Sequence, residues 1–294
     1  MNLQVKNNDL WVDEIKDFKI GQTLECGQSF HFEKNKDEYI IIAHNRILRA
    51  RQISDDTVVF YDMSKEEFEE KWIRYFDLDR DYGEIKKSLL SKDKKLKEAI
   101  EEKSGVRIMN QDFFEMLISF IISQNKQIPH IKKIVFDISK RWGTYLGNVD
   151  GKPYYAFPTP RQMAGCTIED FIKLKTGFRA PYLYDAVNKV LSGEINEKDA
   201  RALDGENVIK YLCQIKGVGE KVANCVALFS LDKRDAFPVD VWIKRIMEKM
   251  YFGKETDKRI ISEFAKEHFG EYGGYAQQYL FYYARDEKIS VDKK

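Results

Sequence analysis

A lysine and a cysteine stand four residues apart behind a glycine-rich turn, in the stretch IKGVGEKVANC at residues 215–225. On a helix this spacing places Lys221 and Cys225 on one face. A lysine attacks as a nucleophile only in its neutral form, which burial favours. The residues that follow are consistent with an apolar pocket: Val222, Ala223, Val226, Ala227 and Leu228. The stretch predicts either ordinary packing or a nucleophilic amine.

The glycine turn (residues 215–219) joins the segment ENVIKYLCQI to EKVANCVALFSL. Two apolar-patterned helices around such a turn form a helix–hairpin–helix, here at about residues 207–229. Gly217 and Gly219 permit positive φ and close backbone approach, and the second helix begins with free N–H groups. This arrangement suits a phosphate and contacts DNA without reading its sequence. An ordinary corner between packed helices is the alternative.

A carboxylate, Asp240, follows in the segment FPVDVWIKRIM. Because it precedes an amphipathic run, it is a candidate N-cap of a helix. It also lies 19 residues after Lys221, across a helix and a turn, which allows the two side chains to face each other. A simple cap and a charged partner of Lys221 both remain open.

The elements that position these residues fall into two parts. EYIIIA, RILRARQI and TVVFYDM, separated by polar turns, predict an antiparallel sheet, and SKEEFEEKWIRYF predicts a flanking helix. From about Gly105 the pattern becomes helical, with DFFEMLISFIIS as a buried helix and a proline-containing loop at residues 153–160. We expect an α+β fold: an N-terminal antiparallel β domain (1–104) and a mainly α-helical region in two lobes (105–294).

Composition excludes several classes of protein. The chain has 294 residues, is 43% hydrophobic and carries a net charge of +1, so it shows no overall basic footprint. It has no signal-peptide pattern and no apolar run of membrane-spanning length. Its four cysteines form no CxxC pair, so we expect neither a zinc site nor an iron–sulfur cluster. An intracellular protein is expected, cytoplasmic or nucleoid-associated if the source is prokaryotic.

Six segments, in order, resemble those of one family: CGQSFHF, SFIISQNKQI, TGFRAPY, GVGEKVANC, FPVDVW and GYAQQYLF. They resemble the DNA glycosylase superfamily named for its helix–hairpin–helix and Gly/Pro-Asp signature, and within it the 8-oxoguanine DNA glycosylase/lyase branch. The resemblance implies a DNA repair enzyme that excises 8-oxoguanine from double-stranded DNA and cleaves the abasic strand by β-elimination. A glycosylase for another damaged base and a non-catalytic DNA-binding protein remain alternatives.

The resemblance also assigns roles at the catalytic centre. Lys221 corresponds to the nucleophile that attacks C1′, and Asp240 to the acidic partner that stabilises charge on the sugar. Gly27 corresponds to the glycine whose carbonyl accepts a hydrogen bond from N7–H of 8-oxoguanine, a hydrogen that guanine lacks. From the residues alone, Gly27 is equally a turn or bulge glycine.

Three further positions correspond to the base pocket of the family. Phe281 and Cys225 match the two residues that sandwich the flipped base, and both side chains suit that contact. Gln277 lies four residues before Phe281 on the same helical face and matches the reader of the Watson–Crick edge. Without the resemblance, Phe281 is a core aromatic and Gln277 a solvated helix position.

The resemblance also assigns residues that contact DNA. Asn125 and Phe178 match positions that fill the vacated stack and wedge the duplex, and Arg179 and Asn125 match contacts to the orphaned cytosine. His130 stands where better-known members carry an arginine for that cytosine. The resemblance therefore leaves the preference for the opposite base open.

Two further residues differ from the family pattern, and three backbone carbonyls match its cation site. Trp242 replaces a histidine near a phosphate, and Lys216 replaces the usual proline of the glycine turn. Backbone carbonyls match the structural cation site of the family, where we expect K⁺ or Na⁺: Cys213, Ile215 and Val218. No cofactor is expected for catalysis, and a monomer is expected.

Overall fold

The computed structural model describes residues 1–289. An antiparallel sheet of six strands opens the chain and helices dominate the rest, which confirms the predicted α+β class. The strands lie in the spatial order β1-β2-β6-β5-β4-β3. Their bounds are β1 (Asn2–Lys6), β2 (Asp9–Asp13), β3 (Phe32–Asn35), β4 (Glu38–Ala43), β5 (Arg46–Gln52) and β6 (Val58–Tyr61).

Short turns set the register of this sheet. The β4–β5 turn places His44 and Asn45 at φ 51° and 55°, and the β1–β2 turn places Asn7 and Asn8 at φ 52° and 69°. Two successive residues with positive φ form the tight turn that matches the twist of paired strands. The β4–β5 hairpin lies where the sequence predicts it.

The helices supply most of the remaining structure. They are α1 (Ile20–Glu25), α2 (Lys65–Glu67), α3 (Ile73–Tyr75), α4 (Tyr82–Lys92), α5 (Lys97–Glu102), α6 (Phe113–Ser123), α7 (Ile128–Trp142), α8 (Ile168–Lys173), α9 (Ala180–Ser192), α10 (Glu197–Ala202), α11 (Gly205–Leu212), α12 (Glu220–Ser230), α13 (Val241–Met247), α14 (Lys258–Phe269) and α15 (Gly273–Asp286). Within residues 1–289, no helix is both long and apolar enough to cross a membrane.

A β-hairpin interrupts the helical region where the sequence indicated only a loop with prolines. Strands β7 (Tyr145–Val149) and β8 (Lys152–Tyr155) pair around Asp150 and Gly151. Those two residues have φ 49° and 78°, and Asp-Gly is a typical hairpin turn.

The hydrophobic side chains form two main clusters. One lies under the sheet, where Leu10, Leu48 and Phe60 pack against Trp72. The larger one joins α6, α12 and α15, and it also takes in side chains of α4 and α5. These two helices fall within the predicted N-terminal domain (1–104), yet they bury their apolar faces in the helical cluster. The boundary at residue 104 remains a prediction.

Candidate active site

The side chain of Lys221 lies between two packed helices. Gly219 precedes α12, so Lys221 falls in the first turn of that helix. Its Nζ lies 3.5 Å from Oγ of Ser123, the last residue of α6, and 5.3 Å from the centre of the Phe120 ring. The amine is therefore half-buried against an aromatic face and one hydroxyl. Ser123 was not singled out from the sequence, because only the packing of α6 on α12 brings it here.

Asp240 is both a helix cap and a charged neighbour of this amine. Its Oδ1 accepts a hydrogen bond of 2.8 Å from the backbone N–H of Ile243, at the start of α13. Burial raises the pKa of Asp240 above the ordinary 3.8, while the N–H of Ile243 and the charge of Lys221 oppose that rise. The two roles left open by the sequence therefore belong to one side chain.

Cys225 lies one helical turn after Lys221 and is buried. Burial raises the pKa of its thiol to about 11, although the positive charge of Lys221 acts in the opposite direction. The thiol therefore stays protonated near neutral pH. It offers a small neutral sulfur, rather than a second nucleophile, beside the amine.

Helix α15 supplies two candidate base contacts. Gln277 and Phe281 lie four residues apart on one face, and Gln277 is only 4% exposed. Its Nε2 donates to the carbonyl of Pro238 at 3.3 Å, two residues before Asp240. Its Oε1 is buried and has no hydrogen-bond partner within residues 1–289. Gln277 is therefore fixed next to Asp240 with one acceptor still available.

Gly27 meets Phe281 across the interface between the sheet and α15. It has φ +88°, and a Cβ there would lie 3.0 Å from Cε1 of Phe281. Both the backbone conformation and the close contact therefore require glycine. The two residues are 254 positions apart in the chain, and the place where they touch is called the Gly27–Phe281 slot below.

Side chains from elsewhere hold the carbonyls around Gly27. Arg285 donates to the carbonyl of Glu25 at 2.8 Å, Gln278 to that of Cys26 at 3.3 Å, and Gln111 to that of Gln28 at 2.8 Å. The carbonyl of Gly27 lies between these anchored carbonyls in the chain, and none of the three side chains donates to it. The loop is thus anchored on both sides of a carbonyl that can still accept a hydrogen bond.

The glycine turn packs on α9. Gly217 has φ +77°, and a Cβ there would lie 2.2 Å from the ring of Tyr182. The N–H of Lys216 donates to Asp185 at 2.7 Å, a bond that the usual proline could not make. Gly219 has φ −100°, and an added Cβ there would meet no atom within 4 Å. The structure thus requires glycine at the first position only.

The predicted DNA-contacting residues lie around the ends of α6, α7 and α9. Asn125, exposed at φ 49°, follows α6, and His130 is exposed in the first turn of α7. Phe178 is 56% exposed just before α9. Arg179 is buried and donates to the carbonyl of Gln124, so it holds the Phe178 turn against the loop of Asn125.

A cavity of about 820 Å³ lies between β3, α7 and the β7–β8 hairpin. Of the predicted site residues, only Gly27 lines it. The chemistry outlined by Lys221 and Asp240 therefore lies outside this cavity.

A sheet domain followed by a helix–hairpin–helix, with a lysine behind the turn and a half-buried carboxylate that its charge influences, defines the class of DNA base excision glycosylases. Residues 12–117 match the family model of the 8-oxoguanine DNA glycosylase N-terminal domain, and residues 118–270 match that of the HhH-GPD superfamily base excision DNA repair proteins. The chain belongs to this superfamily, and within it to the 8-oxoguanine DNA glycosylase family.

Individual relatives agree with this assignment. The chain is 41% identical to Clostridium acetobutylicum 8-oxoguanine glycosylase/lyase in complex with double-stranded DNA containing cytosine opposite 8-oxoguanine, covering 98% of this chain and 99% of that one with a TM-score of 0.94. It is 31% identical to the N-glycosylase/DNA lyase OGG1 of Arabidopsis thaliana, over 88% of this chain and 75% of the relative. A probable N-glycosylase/DNA lyase of Methanothermobacter thermautotrophicus is 30% identical, over 77% of this chain and 78% of the relative. The predicted family is confirmed.

Proposed function

We propose that this protein is an 8-oxoguanine DNA N-glycosylase with abasic-site lyase activity, acting on double-stranded DNA that contains the lesion. The half-buried amine of Lys221, near the half-buried Asp240 and the neutral Cys225, carries this proposal. The substrate and the two activities named for the relatives from Clostridium and Arabidopsis support it. Phosphate binding alone requires neither Lys221 nor Asp240, so a non-catalytic DNA-binding protein explains less of the site.

In the proposed reaction the electron pair of Lys221 Nζ forms a bond to C1′. The C1′–N9 bond breaks, and the base leaves with its electrons and takes up a proton. Ionised Asp240 stabilises the positive charge that develops on the sugar, in a site where burial strengthens the interaction. The attached nitrogen then passes a proton to Asp240, which gives it to O4′ as the C1′–O4′ bond breaks. The nitrogen lone pair forms the C1′=N⁺ bond of a Schiff base.

Strand cleavage follows from that Schiff base. The positively charged C=N⁺ withdraws electrons, so a base can remove a proton from C2′. The electron pair forms the C2′–C3′ double bond and expels the 3′ phosphate with the electrons of its C–O bond. The amine of Lys221 thus accounts for both activities through one covalent intermediate.

Base recognition uses the slot at α15. The target nucleotide must leave the duplex stack, which costs about a few kcal/mol. Phe281 stacks on one face of the base, and the sulfur of Cys225 contacts the other. The free Oε1 of Gln277 accepts from an N–H of the Watson–Crick edge. The carbonyl of Gly27 accepts from N7–H and repels the lone pair that guanine carries there.

DNA is held by exposed residues around this slot. Asn125 fills the vacated stack, Phe178 wedges the duplex, and His130 and Arg179 face the orphaned cytosine. In the free protein Arg179 is occupied by the Gln124 carbonyl. Its first role is therefore to position the loop of Asn125.

The glycine turn binds the DNA backbone through Gly217 and Gly219. A bound K⁺ or Na⁺ fits this turn, because the Ile215 carbonyl accepts only the N–H of Val218 at 3.0 Å and an oxygen has two lone pairs. The carbonyls that would hold the ion belong to Cys213, Ile215 and Val218. The ion would supply positive charge for a DNA phosphate. The protein acts on this substrate as a monomer inside the cell, in the cytoplasm or nucleoid if the source is prokaryotic.

Borohydride trapping tests the proposal. Reduction of the Schiff base should link the wild-type protein covalently to duplexes that contain 8-oxoguanine. Lys221→Gln should form no cross-link and still bind the lesion duplex in a gel-shift assay, because the backbone of the glycine turn holds the DNA. Lys87→Gln is a matched control, since the side chain of Lys87 is 76% exposed on α4.

Cross-linking by Lys221→Gln at the wild-type level would remove this lysine from the mechanism. Trapping on duplexes with an alkylated or other oxidised base, but not with 8-oxoguanine, would instead make the protein a glycosylase for another lesion.

A further inference from the structure

The base-facing side of α15 extends one turn beyond the residues that the family resemblance assigns. Gln277, Phe281 and Arg285 follow one another at intervals of four, so they share one face at steps of about 6 Å. The guanidinium of Arg285 lies 5.7 Å from the centre of the Phe281 ring. Its Nη2 donates to the carbonyl of Glu25 at 2.8 Å and to Oδ1 of Asp286 at 3.3 Å, which fixes the plane of the fork.

The other end of this fork is unpaired. Nη1 of Arg285 is buried and has no hydrogen-bond partner within residues 1–289. It lies next to Gly27, because a Cβ on that glycine would be 3.3 Å from Nη1 and 3.0 Å from Phe281 Cε1. A buried donor without an acceptor is costly, and more so when it is charged. The donor therefore stands at the Gly27–Phe281 slot with its hydrogen-bonding capacity unused.

The chemistry of the lesion supplies the missing acceptor. Oxidation of guanine adds a hydrogen to N7 and a carbonyl oxygen to C8, the atom next to N7. If the Gly27 carbonyl accepts from N7–H, a donor beside that carbonyl faces the oxygen on C8. Gln277, two turns earlier on the same face, then lies toward the opposite edge of the purine.

We propose that Nη1 of Arg285 donates a hydrogen bond to the C8 oxygen of the flipped base and so determines specificity for 8-oxoguanine. This inference rests on the proposed function. Together the Gly27 carbonyl and Arg285 form an acceptor–donor pair that matches N7–H and C8=O of the lesion. Guanine presents a lone pair at N7 and a C–H at C8, so neither half of the pair is satisfied.

The test changes the acceptor and the donor in turn. Duplexes carry 8-oxoguanine or 8-thioxoguanine, which keeps N7–H but replaces the C8 oxygen by sulfur, a weaker acceptor. Wild-type protein, Arg285→Met and Arg49→Met are compared by single-turnover base excision. Arg49 is the matched control: it stacks on Tyr61 at 5.3 Å and pairs with Glu38, in the sheet.

The ratio of the excision rates on 8-oxoguanine and 8-thioxoguanine should be lower in Arg285→Met than in the wild type by about tenfold or more, which is the scale of a hydrogen bond to a charged group. Arg49→Met should keep the wild-type ratio. The larger size of sulfur affects the wild type and the variants alike, so it cancels when their ratios are compared. Strand cleavage at a preformed abasic site, where there is no base to read, should fall much less than excision in Arg285→Met.

Two results would overturn the inference. One is an unchanged oxygen-over-sulfur preference in Arg285→Met. The other is an equal loss of excision and abasic-site cleavage, which would make Arg285 a support of the fold or a phosphate contact. Either result leaves the proposed function intact as long as the wild type excises 8-oxoguanine, whereas a wild type without that activity removes both.

Discussion

At the residue scale, Asp240 has one observed role and one proposed role. As the cap of α13 it needs only an acceptor oxygen, and as the proposed partner of Lys221 it must be ionised while half-buried. Burial raises its pKa above 3.8. A carboxyl whose folded pKa exceeds its unfolded value favours folding at low pH, and that contribution is lost as the pH rises through the folded pKa. At neutral pH the ionised side chain therefore lowers the stability of the free protein.

Replacement of this carboxylate by an amide separates the two roles. Asp240→Asn keeps a good cap, so the free energy of unfolding at pH 7 should be equal to that of the wild type or higher. Any excess in the free energy of unfolding of the variant over the wild type should disappear as the pH falls below 3.8. Base excision should fall by about 10²–10³-fold, because charge on the sugar is no longer stabilised. Urea unfolding at both pH values and single-turnover excision measure the two effects.

Asp112 offers a matched control for this prediction. It caps α6 by accepting from the N–H of Glu115 at 2.8 Å, and it is itself exposed. Asp112→Asn should keep this cap, so it should change the free energy of unfolding by less than about 0.5 kcal/mol and leave excision at the wild-type level. Near-normal excision by Asp240→Asn would reduce Asp240 to a cap.

His130 carries a prediction about the base opposite the lesion. A histidine offers at most two donors, whereas an arginine fork offers five. We expect the wild type to excise 8-oxoguanine opposite cytosine with weak discrimination against the other three bases. His130→Arg should sharpen the cytosine preference by about 1–3 kcal/mol, the scale of a bidentate base contact. Four duplexes that differ only in the opposing base, assayed by single turnover, measure this preference.

Since His130 is exposed at the start of α7, the substitution should not change the stability of the fold. Strong cytosine selectivity in the wild type that His130→Arg leaves unaltered would contradict the prediction.

Sequence reasoning picked out candidate reactive residues but not their surroundings. The spacing of Lys221 and the cap position of Asp240 are local features, so the pattern indicates them directly. The role of Gly27 depends on contact with Phe281 across most of the chain, and without the resemblance it could not be told from a turn glycine. Ser123 and Arg285 were missed because only the packing of α6 on α12, and of the sheet on α15, brings them to the site.

At the scale of elements, the glycine turn contains two glycines with different constraints. Gly217→Ala must relieve a contact of 2.2 Å with Tyr182 and a φ of +77°. We expect it to lower the free energy of unfolding by about 1–3 kcal/mol and to weaken DNA binding, because the turn shifts on α9. Urea unfolding and gel-shift titration test both effects.

Gly219→Ala is the internal control for that prediction. No atom lies within 4 Å of the added Cβ, so its stability should change by less than about 0.5 kcal/mol. Weaker DNA binding by this variant would then report a phosphate close to the backbone of the turn. Equal stability of Gly217→Ala and the wild type would show that α9 does not fix the turn.

Elements with strong apolar patterns were predictable, whereas the β7–β8 hairpin was missed. β4, β5 and α6 all lie where the apolar pattern indicated them. The β7–β8 hairpin was taken for a loop because its prolines outweighed the Asp-Gly signal at residues 150–151. The placement of α4 and α5 in the helical cluster depends on tertiary packing, which no local pattern specifies.

At the scale of the whole molecule, one buried arginine joins the sheet part to the helical part. Arg107 is 3% exposed and stacks on Tyr82 at 4.3 Å. Its guanidinium donates to four backbone carbonyls in the loops that follow β2 and α3: those of Lys16, Asp17, Asp77 and Arg80. Its own carbonyl accepts from Nε2 of Gln28 at 2.7 Å, next to Gly27. The same junction thus supports the fold and positions the proposed base-reading loop.

Arg107→Met keeps an apolar stem of similar length and removes every one of those donors. Buried carbonyls without a partner cost about 1–3 kcal/mol each, so we expect the free energy of unfolding to fall by at least about 3 kcal/mol. Arg259→Met should change it by less than about 0.5 kcal/mol, because that side chain is 81% exposed. Below the unfolding transition, Arg107→Met should lose more base excision than abasic-site cleavage, since only excision requires Gly27 in place. Equal unfolding free energies for the two variants would mean that the junction is held by apolar packing alone.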